Sequence, residues 1–171
     1  MRAAVFALLC LTTPAAAQQG PNPNFHPGTY IAEFGPIASV DSDQAIPNKA
    51  RFKIRYDVKD AAAPGEQSKS LVAVARFLNM SVENGVDPKN IKLAVVVHGG
   101  ATKDLTTRDD NSNAALIAAL TEKGVDIYLC GQSAAAYNVK KEDLLSGVKM
   151  SLSAMHAHAI LDADGYSLNP F

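Results

Sequence analysis

The chemistry this sequence offers is concentrated where apolar runs end abruptly in polar or small residues. Val125 to Leu129 runs into Cys130-Gly131-Gln132-Ser133, so a thiol closes a strand-like run and a helix start follows it. A thiol at such a junction faces N–H groups that have no intrahelical partner and the positive end of a helix dipole. That setting favours thiolate, the nucleophilic form of cysteine. In a purely apolar setting the same residue is a small, inert hydrophobe. Ile91 to Val97 runs in the same way into His98-Gly99-Gly100. His98 could exchange a proton near neutral pH or bond loop backbone. The two glycines permit a tight turn and could form an anion-binding nest. The same triplet occurs in lipase oxyanion loops, but no G-x-S-x-G elbow accompanies it here, which argues against a serine hydrolase.

Two further histidines, His156 and His158, fall two apart on a helical stretch. They lie about 200° apart around it and do not easily share one ion. Packing or solvent is the simplest fate for both. Cys130, His98 and His156 could still form a three-ligand zinc or copper set, although no C-x-x-C spacing supports it. No metal or other cofactor is assigned. Arg108-Asp109-Asp110 reads as a solvated loop that could order over a site.

These tips need a scaffold. Phe52, Ile54, Tyr56 and Val58 alternate with polar residues, a half-buried strand near a sheet edge. Leu71, Val74, Ala75, Leu78 and Val82 recur at helical spacing, ending near Gly85. The continuous apolar run 91–97 predicts a strand buried on both faces. A helix is expected over Asn111–Lys123 with Gly124 as its stop, then a strand over Val125–Cys130. Residues 131–145 read as helical in pieces. Val148, Met150 and Leu152 alternate as a strand, Ser153–Ala163 reads as a helix, and Tyr166–Leu168 as a last strand. Strands alternating with helices imply a three-layer α/β/α domain with a mostly parallel sheet of about five strands. Sites in such sheets lie at the carboxyl ends of strands, where both tips fall.

The 171 residues suit a single domain, and 47% hydrophobic with 19% charged residues is a globular composition. A net charge of −1 and a sequence pI of about 6.4 give no basic field for nucleic acid or anionic lipid. Met1-Arg2, the apolar stretch Ala3–Leu11 and Ala15-Ala16-Ala17 read as a signal peptide, 1–17, cut before Gln18. The apolar stretch is too short to span a bilayer, so a periplasmic or secreted protein without stable membrane insertion is expected. Cys10 sits inside that stretch behind Leu9, which argues against lipidation there. Of the two cysteines, cleavage leaves Cys130 alone, and a lone thiol forms no intramolecular disulfide. Residues 18–50, rich in proline and glycine but punctuated by Phe25, Tyr30, Ile31, Phe34 and Ile37, read as an extension packing on the domain over 51–171.

Taken in order, Val95–Ala101 (VVVHGGA), Asn111–Leu120 (NSNAALIAAL), Gly124–Ser133 (GVDIYLCGQS), Val148–Met155 (VKMSLSAM) and Gly165–Phe171 (GYSLNPF) resemble the DsrE/DsrF family of small sulfur-relay proteins. Phe25–Gly28 (FHPG) and Ala75–Asn79 (ARFLN) resemble its exported branch. The resemblance implies a DsrEFH-like three-layer fold, homo-oligomers such as trimers or hexamers, and a cysteine that carries sulfur as a persulfide between a donor and an acceptor thiol. That cysteine's place matches Cys130.

The expected function is therefore sulfur handling. Cys130 would be the nucleophile, with His98 orienting it or shuttling a proton. Gly131, Gln132 and Ser133 would supply N–H donors, with Gly99, Gly100 and Asn111 as further binding residues. Sulfur donor and acceptor thiol proteins, or small sulfane-sulfur compounds, would be the partners. Two other readings stay open from the residues alone: a non-catalytic oligomeric binding or assembly module, and a Cys/His metal-binding protein.

Overall fold

Apolar alternation and apolar runs become five strands in a computed structural model that describes residues 22–47 and 49–170. The expected signal peptide and the first residues of the extension lie outside the described residues. The strands are β1 (Phe52–Val58), β2 (Ile91–Val97), β3 (Asp126–Cys130), β4 (Val148–Ser151) and β5 (Ser167–Asn169). They form one sheet in the order β4-β3-β2-β1-β5, with every neighbouring pair parallel. The helices are α1 (Lys69–Glu83), α2 (Ala114–Glu122), α3 (Gly131–Ala136) and α4 (Ala154–Ala163).

The two faces of the sheet are unequally covered. Leu93, Val95 and Val97 of β2 and Ile127 and Leu129 of β3 share a core with Leu71, Val74 and Leu78 of α1 and Leu116, Ile117 and Leu120 of α2. Ala134 of α3 joins the same cluster. On the opposite face Ala94 and Val96 pack against Ala157 and Leu161 of α4, with Tyr128 and Tyr166 at the margin. The small side chains Ala94 and Ala157 let α4 sit close to the sheet. Alternation along each strand then fixes which face the later residues take.

Three local expectations are corrected. The helix expected from Asn111 begins at Ala114. The Asn111 carboxamide accepts from Asn113 N–H at 2.9 Å and donates to the carbonyls of Asp104 and Thr106. It thereby holds a turn ahead of the helix, as asparagine side chains do. The strand expected through Leu152 stops at Ser151. The Ser151 hydroxyl donates to the Leu129 and Ser153 carbonyls, and Leu152 turns outward, 66% exposed. The final strand is Ser167–Asn169, one residue later than its expected start.

The extension is held to α1 by Asn79 and by Arg76, whose Nε donates to the Pro36 carbonyl at 2.9 Å. Asn79 on α1 is fully buried. It accepts from Ile31 N–H at 2.7 Å and donates to the carbonyls of Ile31, Phe34 and Gly35 at 2.9–3.0 Å. Gly35 has φ +66°, and a Cβ there would stand 2.3 Å from Arg76 N, so only glycine allows the extension to approach α1 this closely.

Candidate active site

Cys130 is the last residue of β3 and the N-cap of α3. α3 leaves toward the α1/α2 face, whereas α4, following the neighbouring strand β4, covers the other. Chain direction therefore diverges between β3 and β4, the position at which parallel α/β sheets open a crevice. The Cys130 side chain, 5% exposed, sits in that divergence and receives hydrogen bonds from both sides. Burial pushes its thiol pKa up. The hydroxyl and backbone N–H of Ser133 and the backbone N–H groups of Ala154 and Gln132 outweigh burial, leaving the pKa below the ordinary thiol value. Donors aimed at sulfur favour the charged form.

Ser133 also accepts from Gly99 N–H at 3.0 Å, tying the tip of β2 to the tip of β3 through one hydroxyl. Gly131 serves the site by its missing side chain. A Cβ there would lie 2.6 Å from the Ser151 carbonyl oxygen and 3.1 Å from that of Leu152, so glycine lets α3 start against the end of β4. An open cleft of about 450 Å3 adjoins this junction, lined by Gly131, Gln132, Ala134, Met150, Ser151 and Leu152. Gln132 closes one side by donating from Nε2 to the Leu152 carbonyl at 3.3 Å.

His98 follows the last paired residue of β2 with extended backbone (φ −150°, ψ −178°). Its side chain therefore falls on the Ala94/Val96 face, beneath α4, as does that of Cys130 two residues after Tyr128. Its imidazole is engaged by a residue the sequence reading did not single out. Nε2 of His98 lies 3.2 Å from Oδ1 of Asp57 on β1. Nε2 of His158 on α4 lies 2.8 Å from the same oxygen. Burial raises the Asp57 pKa; hydrogen bonds from His158 and His98, with their charge, prevail and hold it below the usual carboxylate value.

A profile of the DsrE/DsrF-like family matches residues 57–170. The chain belongs to the DsrE/DsrF-like family. Solved structures of the ychN protein from E. coli (16% identity, TM-score 0.54) and of a protein of unknown function, MTH1491 from Methanobacterium thermoautotrophicum (17%, 0.52), are similar to it. Each alignment covers 70% of this chain and 99% of the other. At such identities the likeness is one of fold. No functionally curated protein matches the chain.

Within this DsrE/DsrF-like domain the expected site residues fall into two groups. Cys130, Gly131, Gln132, Ser133, His98 and Gly99 gather at the adjoining tips of β2 and β3. Of the three residues expected to donate N–H groups to sulfur, Gln132 and Ser133 do so, whereas Gly131 acts through the close approach just described. Ala154, the first residue of α4, is a donor that sequence reading missed. Gly99 and Gly100 begin a 3-10 turn (Gly99–Leu105) lying against Lys59, whose carbonyl accepts from Ala101 N–H at 3.0 Å. Asn111 does not join the thiol; it borders a separate polar cavity of about 360 Å3 with Lys103 and Arg108.

His156 and His158 also separate. His156 bonds through Nδ1 to the Ser153 hydroxyl at 2.8 Å, beside the N-cap bond of Ser153. His158, expected to be packed or solvated, bonds Asp57 instead. The set of Cys130, His98 and His156 does not converge, and among the described residues no group of three or more His, Cys, Asp or Glu side chains is arranged to hold a metal ion. Arg108 pairs with Asp110 at 3.0 Å on an exposed loop. Among the described residues no helix is long and apolar enough to cross a membrane. Asp57 was legible in sequence only as a polar position of an alternating strand, and nothing local marked it.

Proposed function

We propose that this protein is an exported DsrE-like sulfur-handling protein in which Cys130 is the nucleophile. The observation that carries the reading is the place of Cys130, at the end of β3 and the N-cap of α3, where donors from two helices hold its pKa below the ordinary thiol value. Ser133 gives a hydroxyl and an N–H, and Gln132 and Ala154 give one N–H each. A buried structural cysteine has no need of such an arrangement, whereas an anionic sulfur requires it. The thiolate attacks the sulfane sulfur of a donor, holds it as a persulfide anion under the same N–H groups, and passes the outer sulfur to an acceptor thiol. His98 shuttles a proton at the site. Family membership supports this chemistry, and the signal-peptide-like pattern of residues 1–17 supports export to the periplasm or beyond.

Exposed Leu152 (66%), Met155 (76%) and Ile160 (63%) near α4 support assembly into a homo-oligomer, a trimer or hexamer in keeping with the family. The exposure of Cys130, 5%, favours the rival reading of a non-catalytic binding or assembly module. One experiment separates the two. Intact mass of the mature protein is measured before and after polysulfide, beside Cys130→Ser. Sulfur carriage gives mass additions of about 32 Da on the thiol's reversible modification ladder. These are removed by cyanide and absent in the variant. A thiol that takes up no sulfur and resists alkylation while folded establishes the module instead. The same spectrum tests cleavage after Ala17.

A further inference from the structure

The carboxylate of Asp57, shared by two imidazoles, has no part in the reaction as stated so far, yet it lies under the same helix as the thiol. α4 links them: Ala154 N–H reaches Cys130, and one turn on, His158 reaches Asp57 at 2.8 Å. His98 stands between the two. Its strand neighbours both β1 and β3, and by the register Val97↔Leu129 it lies level with Cys130, about 5 Å away between backbones. Both side chains take the α4 face.

The thiol at this site already faces several donors. The step left without assistance is the departure of the donor's sulfur, which carries off an electron pair as the new S–S bond forms. His98 is placed for that task. Asp57 engages Nε2 and so fixes both ring orientation and tautomer. Nδ1 has no hydrogen-bond partner among the described residues. The His98 side chain is 31% exposed, which lets solvent reload the proton.

Resting on the sulfur-handling reading, we propose that Asp57 is the positioning residue for His98, and that His98 is the acid that protonates the sulfur leaving the donor. For a persulfide donor R–S–SH, the Cys130 thiolate bonds to the outer sulfur and the R–S bond to that sulfur breaks. R–S⁻ leaves with the electron pair and takes a proton from His98 imidazolium. The products are Cys130–S–SH, R–SH and neutral His98. Sulfane sulfur changes hands with no net oxidation.

The test varies the leaving group. Sulfur uptake by the mature protein is followed by rapid-quench intact mass with an alkyl persulfide and with an aryl persulfide, whose thiolate departs without help. Iodoacetamide alkylation, which releases no thiolate, is run in parallel. Asp57→Asn and His98→Asn should slow uptake from the alkyl donor by about 100-fold, within the usual range for a positioned acid. They should change aryl uptake and alkylation by no more than about threefold. His158→Asn cuts the tie of α4 to the same carboxylate but leaves His98 on it, and should shift both donors equally. An alkyl-to-aryl ratio in Asp57→Asn equal to that of the wild type overturns the assignment. So does a His158→Asn variant that reproduces the Asp57→Asn ratio, because the effect would then run through α4. Wild-type protein that takes up sulfur from neither donor overturns the underlying reading, a result distinct from both.

Discussion

Ser133→Ala isolates the hydroxyl that joins the two strand tips. In the native protein that hydroxyl donates to Cys130 and accepts from Gly99 N–H at 3.0 Å. The two bonds have different consequences. The bond to sulfur matters mainly when sulfur is charged, and a hydrogen bond to a charged group contributes about 1.5–3 kcal/mol. Its loss should lower the thiolate population about 10- to 100-fold at pH well below the thiol pKa, since about 1.4 kcal/mol corresponds to tenfold. The bond from Gly99 is an ordinary one of about 1 kcal/mol, equivalent to about 2–4 °C in Tm for a chain of this size. The assay is the pseudo-first-order rate of iodoacetamide alkylation across a pH series, with Tm measured on the same samples. The variant should therefore combine a large kinetic defect at low pH with a small thermal one, and the rates should converge with wild type at high pH. A superimposable alkylation profile would falsify the claim that this hydroxyl stabilises thiolate.

Further outcomes follow from other contacts. Because the folded Cys130 pKa lies below its ordinary value, the unfolded chain binds more protons in the interval between the two. Wild type should thus gain stability over Cys130→Ser as pH rises toward about 8.5, the ordinary thiol pKa, and lose that advantage as pH falls through the folded value; urea titrations across pH read this directly. Asp57 obeys the same sign. Its lowered pKa makes Asp57→Asn most costly above the ordinary carboxylate pKa of about 4, with the difference from wild type vanishing in stronger acid; Tm against pH checks it. Gly131→Ala places a Cβ 2.6 Å from a backbone oxygen, and overpacking of this kind costs about 1–3 kcal/mol. Differential scanning calorimetry should show the loss, and alkylation should slow because α3 must shift from sulfur. Asn79→Ala leaves Ile31, Phe34 and Gly35 without the partner they share. A destabilisation above about 3 kcal/mol is expected, together with early proteolytic cleavage within residues 22–47.

Much of the scaffold was readable because its signals are local. The alternation over Phe52–Val58 and the run Ile91–Val97 each predicted a strand with its observed bounds. Gly124, with φ +80°, closed α2 where a left-handed residue was expected. The misreadings came where a polar side chain or a non-local approach decided the outcome. Asn111 delayed α2 by bonding loop carbonyls, and Leu152 left its strand because the chain must turn at Ser153 to cap α4. The position of Cys130 at a strand end was legible, but one of its four donors was not. Ala154 carries no chemical signal in its side chain, and only its backbone N–H matters. Asp57 and His158 stand 101 residues apart, so no spacing rule could pair them before the path of α4 across the sheet was known.

That path has a consequence for how the protein is made. α4 is held down by the pairing of β5 with Ile54–Tyr56, by Arg55 to Asp162 at 2.8 Å and by Lys53 to the Asp164 carbonyl. The innermost of these partners are more than a hundred residues apart in the chain. Contacts of such long range close late in folding. Until then Cys130 has only the donors of the adjacent α3, without the Ala154 N–H and without the nearby histidine held on Asp57. The α4 half of the thiol's surroundings is thus completed only when the last strand pairs. The order of the sheet thus sets the order in which the surroundings of Cys130 assemble, the α3 side first and the α4 side only after Asn169 has taken its place beside Tyr56.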